Sequence, residues 1–150
     1  MGDMAMFTGV YFHSLDAKNR VIIPSKLREV IDEEKEGSGF YVTRGLDLCL
    51  ALHTPLAYQE MASRIEKTPY TRPEARKFQR LLFSSAQKTI PDQQGRILIP
   101  KELKEDAQLD RDVAIVGVNT RIEIWDRKRW EQFEKDTRSE YETFAEEILP

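Results

Sequence analysis

Residues 16–29 read DAKNRVIIPSKLRE, and residues 92–105 read DQQGRILIPKELKE. Both run Asp-x-x-(Asn/Gly)-Arg, an aliphatic triplet, Pro, and then Leu, a basic residue and Glu. Two such blocks half a chain apart mark an internal duplication, and a duplication decides the architecture before any single element does. Between Asp and Arg stand Ala17-Lys18-Asn19 in one block and Gln93-Gln94-Gly95 in the other. A hairpin loop of that length runs as a type I turn followed by a left-handed residue. Glycine takes positive φ freely, and asparagine tolerates it better than most residues. Asn19 and Gly95 stand at that place. Asp16 and Arg20, like Asp92 and Arg96, thereby become neighbours at the mouths of two hairpins.

The aspartate at such a mouth can cap loop amides or steady the guanidinium. A stiffened guanidinium offers a planar fork of donors suited to phosphate or to guanine O6 and N7. Taken alone, an Asp-x-x-x-Arg pair is a surface salt bridge worth under about 1 kcal/mol. The repetition, with Lys18, Lys26 and Arg28 around the first tip and Lys101 and Lys104 beside the second, turns the reading toward binding.

Working outward, each half reads strand, tight loop, strand, short helix, hairpin, helix. Residues 10–15 form a strand, and Val21-Ile22-Ile23 form the next, closed by Pro24. Apolar residues fill both parities of that triplet, which predicts cover on both of its faces. A short helix follows over 25–31. Strands over 40–44 and 48–52 flank a turn at Gly45-Leu46-Asp47. Pro55 opens a helix with Tyr58, Met61, Ala62 and Ile65 on one stripe, and Pro73 opens another. In the second half, residues 113–118 and 122–125 answer the second hairpin, and Trp130 answers Tyr58. The last helix carries Trp130, Phe133, Thr137, Tyr141, Phe144 and Ile148 at spacings of three and four, a seam that wants a neighbour. The expected division is a flexible leader over 1–5, a first module over 6–53, linking helices over 54–82, a second module over 83–126 and a C-terminal helix over 127–150.

The chain has 150 residues, of which 40% are hydrophobic and 33% charged, enough for two small repeats with a shared core. No apolar run approaches a membrane span, and no signal peptide is visible, so no membrane partner is expected. Met4 and Met6 are alternative starts. The single cysteine, Cys49, excludes an internal disulfide, fits a reducing cytoplasm and reads as a buried thiol. The net charge of −3 argues mildly against a nucleic-acid partner. Its distribution says more: the first block is basic, while acidic residues gather at 32–36 and beyond Asp126.

Other chemistry is weakly supported. His13 and His53 lack metal-ligand spacing, Ser84-Ser85 lacks a nucleophile context, and no glycine-rich phosphate cradle occurs. The remaining carboxylates read as solvated helix faces. No catalytic residue, metal site or cofactor is expected, and an enzyme reading ranks last.

The two blocks resemble the swapped-hairpin DNA-binding motif of the AbrB class. With the opening Met6-Phe7-Thr8-Gly9, the Thr43-Arg44-Gly45-Leu46-Asp47 turn and the segment from Gly117 to Trp125, nearly the whole chain is similar to the MraZ family. The resemblance implies an α+β fold: two tandem AbrB-like swapped-hairpin modules forming a pseudo-two-fold β-barrel with flanking helices. It implies a bacterial transcriptional regulator, chiefly a repressor, of the division and cell-wall gene cluster and its own promoter. It further implies a cytoplasmic, nucleoid-associated, ring-like homo-oligomer bound to direct repeats in double-stranded DNA. DNA contacts carry over to Arg20 and Arg96, oriented by Asp16, Asn19, Asp92 and Gly95. Arg28 and Lys104 match the basic residue after the motif leucine. Asn19 departs from the usual glycine, Lys104 from the usual arginine, and the second block is less basic. The last helix, or the one opened by Pro73, is expected to meet a neighbouring subunit. An antitoxin-like protein-interaction module is the alternative.

Overall fold

The duplication builds an antiparallel sheet whose strand order reads the same from either end. The computed structural model describes residues 4–150. The first half supplies β1 (Val10–Ser14), β2 (Arg20–Ile22), α1 (Ser25–Arg28), α2 (Glu33–Glu36), β3 (Phe40–Arg44), β4 (Leu50–His53), α3 (Pro55–Glu66) and α4 (Pro73–Ser85). The second supplies β5 (Gln87–Thr89), β6 (Arg96–Leu98), α5 (Lys101–Asp106), β7 (Asp112–Val118), β8 (Arg121–Asp126), α6 (Arg127–Thr137) and α7 (Tyr141–Ile148). Six strands form the order β1-β7-β8-β4-β3-β5, and β2 pairs with β6 in a separate ribbon. Exchanging the halves turns the sheet order into its own reverse. The exchange is physical as well: β1 pairs with β7, and β5 pairs with β3. Each half gives its first strand to the other half, as the swapped-hairpin resemblance implies. The class is α+β as expected, but the sheet is open, with β1 and β5 at its edges, rather than closed into a barrel.

Strand alternation divides the sheet into two faces. On one face Phe40, Val42, Leu50, Leu52, Val113, Ile115, Ile122 and Ile124 join Val21, Ile23, Ile97 and Ile99 of the two triplets in a single core, closed by Leu27 and Leu103. On the other, the helices close over the strands. Tyr58 of α3 stacks on Tyr41 at 4.0 Å, and Trp130 and Phe133 of α6 cluster with Trp125 at 5.1–5.6 Å. The sheet therefore keeps the hairpin tips apart from the long helices.

Several expectations are corrected. The triplets are covered on one face only: Val21 and Ile23 are buried, whereas Ile22 is 40% exposed and Leu98 is 54% exposed. The first short helix stops at Arg28. Strand β4 begins at Leu50 because Asp47 and Leu48 extend the turn with φ of 66° and 59°. The C-terminal helix breaks into α6, a 3₁₀ turn over Arg138–Glu140, and α7. At the break, Thr137 Oγ1 donates to the Phe133 carbonyl, a back-bond that bends helices.

Glu36 is also buried rather than solvated. Its carboxylate accepts from Thr54 Oγ1 and from the Ala5 amide, each at 3.0 Å, and Thr54 in turn caps α3 through Ala57 N–H. Ala5 is buried and belongs to the core, so the expected leader does not extend to it; Met1–Asp3 lie outside the described residues. Cys49 is buried, and burial pushes its thiol up to about 12, which leaves it unreactive. Among the described residues, no helix is long and apolar enough to cross a membrane.

His53 is buried behind Thr43, its Nε2 at 3.5 Å from Thr43 Oγ1. Burial, aided by Arg121, pushes its pKa down to about 4 from 6.5. Between those values the unfolded chain binds a proton there that the folded chain refuses. Stability should therefore fall as pH drops from 6.5 toward 4, by on the order of 3 kcal/mol, and flatten below. Urea titrations across that range, compared with His53→Leu, should show the slope reduced in the variant; identical pH profiles would remove the burial account.

Candidate nucleic-acid interface

Each tip is organised by one carboxylate. Asn19 N–H donates to the Asp16 carbonyl at 3.0 Å, and Asp16 N–H donates to the Arg20 carbonyl at 2.9 Å. Asp16 Oδ1 accepts from the Lys18 and Arg20 amides at 2.9 Å, and Oδ2 accepts from Arg20 Nε at 2.8 Å. The second tip repeats this pattern: Asp92 Oδ1 accepts from the Gln94 and Arg96 amides at 2.9 Å, and Oδ2 from Arg96 Nε at 2.8 Å. The aspartate thus both caps the loop and steadies the guanidinium. Asn19 and Gly95 take φ of 59° and 81°, the left-handed conformation the turn requires.

These bonds hold both carboxylates below the usual range. The leading cause is the backbone N–H of the paired arginine, and burial opposes it. The aspartates stay ionised near neutral pH and keep the arginine side chains in place. Only Nε of each arginine is spent on the aspartate, which leaves the terminal amino groups for a partner.

The ribbon sets the two tips on one surface. Arg20 lies opposite Leu98, Val21 opposite Ile97, and Ile22 opposite Arg96. Val21 and Ile97 point into the core, so Arg20, Ile22, Arg96 and Leu98 share the outer face. The pairing continues past the strand ends, with Ile23 N–H donating to the Gly95 carbonyl and Ile99 N–H to the Asn19 carbonyl. Each tip is therefore held by the opposite half of the chain.

Arg28 and Lys104 complete that cross-bracing. Lys104 Nζ donates to Asn19 Oδ1 at 3.0 Å. Arg28 donates through Nε to the Ile23 carbonyl at 2.9 Å, and its guanidinium lies over Gly95. A Cβ on residue 95 would come within 2.7–3.0 Å of that guanidinium. The two basic residues thus support the opposite tips, while Lys18, Lys26 and Lys101 are exposed around them. Sequence reasoning missed Ile22 and Leu98 as surface residues. The available signal was the alternation of the triplet, in which the middle residue must face away from its two neighbours.

The structure defines a duplicated, strand-exchanged protein that presents two mirrored arginine tips on one ribbon. A family model described as "MraZ protein, putative antitoxin-like" matches residues 6–81 and again 82–149, one match per half. The protein named transcriptional regulator MraZ of Moorella thermoacetica is 44% identical over 144 residues, covering 96% of this chain and 97% of its own. Its namesake in Finegoldia magna is 44% identical over 141 residues, covering 94% and 95%, and that of Acetivibrio thermocellus is 43% identical over 143 residues, covering 95% and 96%. The chain belongs to the MraZ family.

Asn19 with Lys104 and Gly95 with Arg28 are equivalent pairs in the two halves. An arginine at 104, laid over residue 19 as Arg28 lies over Gly95, would collide with the Asn19 side chain. Asn19→Gly and Lys104→Arg should therefore be coupled: Lys104→Arg alone destabilises, and adding Asn19→Gly recovers about 0.5–1.5 kcal/mol of the loss. A double-mutant cycle by urea unfolding measures this, and additive effects would break the link.

Proposed function

We propose that the protein is a sequence-specific DNA-binding repressor of the bacterial division and cell-wall gene cluster, its own promoter included. It acts as a ring-like homo-oligomer in the nucleoid and binds short direct repeats. The carrying observation is the pair of arginines, each fixed by its aspartate on the outer face of one ribbon. The relatives' name as transcriptional regulators supports the same reading.

A two-stranded ribbon fits the major groove of B-form DNA. Arg20 and Arg96 supply donors for guanine or phosphate, and Ile22 and Leu98 beside them supply apolar contacts for thymine methyl groups. Lys18, Lys26 and Lys101 neutralise flanking phosphates. Arg28 and Lys104 hold the tips and add charge behind them. The first tip is the more basic, since Gln94 stands where the first block has Lys18 and Glu102 where it has Lys26. Arg20 therefore contributes more than Arg96. One chain makes few phosphate contacts, and a ring multiplies them through effective concentration. Repeats spaced about 10 base pairs would meet successive tips on one face of the duplex.

The antitoxin-like wording of the family description and the exposed last helix favour a second reading, a module that grips a protein partner. A toxin gene beside this one, and a stable heteromeric complex with its product, would mark it.

Footprinting on the DNA upstream of the protein's own gene tests the first reading. Arg20→Ala should weaken operator binding roughly tenfold to a hundredfold, about 1–3 kcal/mol, with an unaltered circular dichroism spectrum. Arg96→Ala should weaken it less. Lys26→Ala should weaken all DNA alike and lower the salt slope by about one. A folded Arg20→Ala protein with a normal footprint would overturn the tip reading.

A further inference from the structure

Beside each tip lies a small polar cleft, and the pseudo-two-fold makes the two clefts equivalent. The first, of about 440 Å³, is lined by Asp16, Asn19, Lys104, Asp110 and Arg111. The second, of about 320 Å³, is lined by Arg28, Glu33, Gly37, Ser38 and Asp92. His13 pairs with Val113 and Thr89 pairs with Phe40, so Arg111 and Ser38, each two residues before the paired position, hold the same place.

The clefts differ in charge. In the first, Asp16 is used up, its carboxylate accepting two amides and Arg20 Nε. Lys104 and Arg111 then stand against Asp110 alone, two cations against one anion. In the second, Asp92 is spent in the same way, and Arg28 stands against Glu33. No surplus remains there.

They differ in donors as well. Lysine has no acceptor, so the amide oxygen of Asn19 faces Lys104 Nζ, at 3.0 Å, and the amide nitrogen points away. The two N–H groups on that nitrogen meet no acceptor among the described residues, and the Arg111 side chain has no partner among them. Lys104 keeps two further N–H groups. At the second tip Gly95 has no side chain, and Arg28 spends Nε on the Ile23 carbonyl.

We propose that the first cleft holds one backbone phosphate of DNA between the Asn19 amide, Lys104 Nζ and Arg111, and that the second cleft holds none. A phosphodiester carries one negative charge and offers only acceptors, which matches one surplus cation and a set of unspent donors. One chain therefore meets DNA with a polarity: Arg20 stands beside an anchored phosphate, and Arg96 does not. This deepens the DNA-binding reading and rests on it.

Four full-length variants test the cleft, in anisotropy titrations at several salt concentrations and in ethylation interference on the duplex upstream of the gene. Asn19→Gly keeps the left-handed turn and removes both the amide and the acceptor for Lys104. Asn19→Asp keeps that acceptor and puts a carboxylate oxygen in place of the donors. Arg111→Ala removes an exposed cation, and Ser38→Ala alters the equivalent place in the second cleft. The first three should weaken binding by roughly threefold to thirtyfold, Asn19→Asp the most. Arg111→Ala should also lower the salt slope by about one. One phosphate whose ethylation blocks the wild type should cease to matter in Asn19→Gly and Arg111→Ala, the same phosphate in both. Ser38→Ala should leave affinity and pattern unchanged; a phosphate lost there overturns the asymmetry. If Asn19 only braces the turn, Asn19→Asp binds as the wild type does, and that result overturns the clamp. Should Asn19→Gly fail to fold, Arg111→Ala decides, and an unchanged interference pattern in it overturns the clamp. Arg20→Ala separates the two readings. If it loses the footprint while the cleft variants keep affinity and pattern, the cleft falls and the DNA reading stands; if the wild type binds no DNA, both fall.

Discussion

The pairing of Arg20–Ile22 with Arg96–Leu98 is the constraint on which the other features depend. A short hairpin arm is unstable alone, because it has nowhere to put its apolar side chains. Laid against its own duplicate, it buries Val21, Ile23, Ile97 and Ile99, each burial worth roughly 1.5–3 kcal/mol. The register follows from the same fact. A slip of one residue would turn Arg20 and Arg96 into the core and Val21 and Ile97 into water. Core packing and the display of the arginines are thus one decision: the register that buries Val21 and Ile97 is the register that turns Arg20 and Arg96 outward.

The same economy explains two oddities of the tips. Asparagine in place of glycine at 19 and lysine in place of arginine at 104 look unrelated, lying 85 residues apart. The exchange of strands makes them neighbours. A flat guanidinium can lie over a bare Cα, as Arg28 does over Gly95, but a residue with a side chain needs a slimmer partner that bonds to its end. The halves have settled the same contact in two chemically different ways.

What could be read from the chain follows from how local each cause is. The tips were legible because turn chemistry is local: Asp, a left-handed residue and Arg at fixed spacing specify the loop. Helices α3 and α4 were legible at their starts, since Pro55 and Pro73 announce the first turn. Strand exchange is not visible in periodicity and entered through the family resemblance. An all-aliphatic triplet conceals which side faces water, so Ile22 and Leu98 went unnoticed. Glu36 follows four other charged residues, and only the approach of Thr54 and Ala5 makes it a buried acceptor. The break after Thr137 depends on a side-chain bond that no propensity signals.

The exchanged strands also set the order of events during synthesis. Ser14 of β1 bonds to Asp112 of β7, 98 residues later in the chain. At a translation rate of roughly 5–20 residues per second, β1 waits about 5–20 s for its partner to be made. During that interval β4 and β3 lack β8 and β5, the strands that flank them in the finished sheet. Contacts this distant slow folding and prolong exposure. The core face of the first half therefore stays uncovered until the second half of the chain arrives.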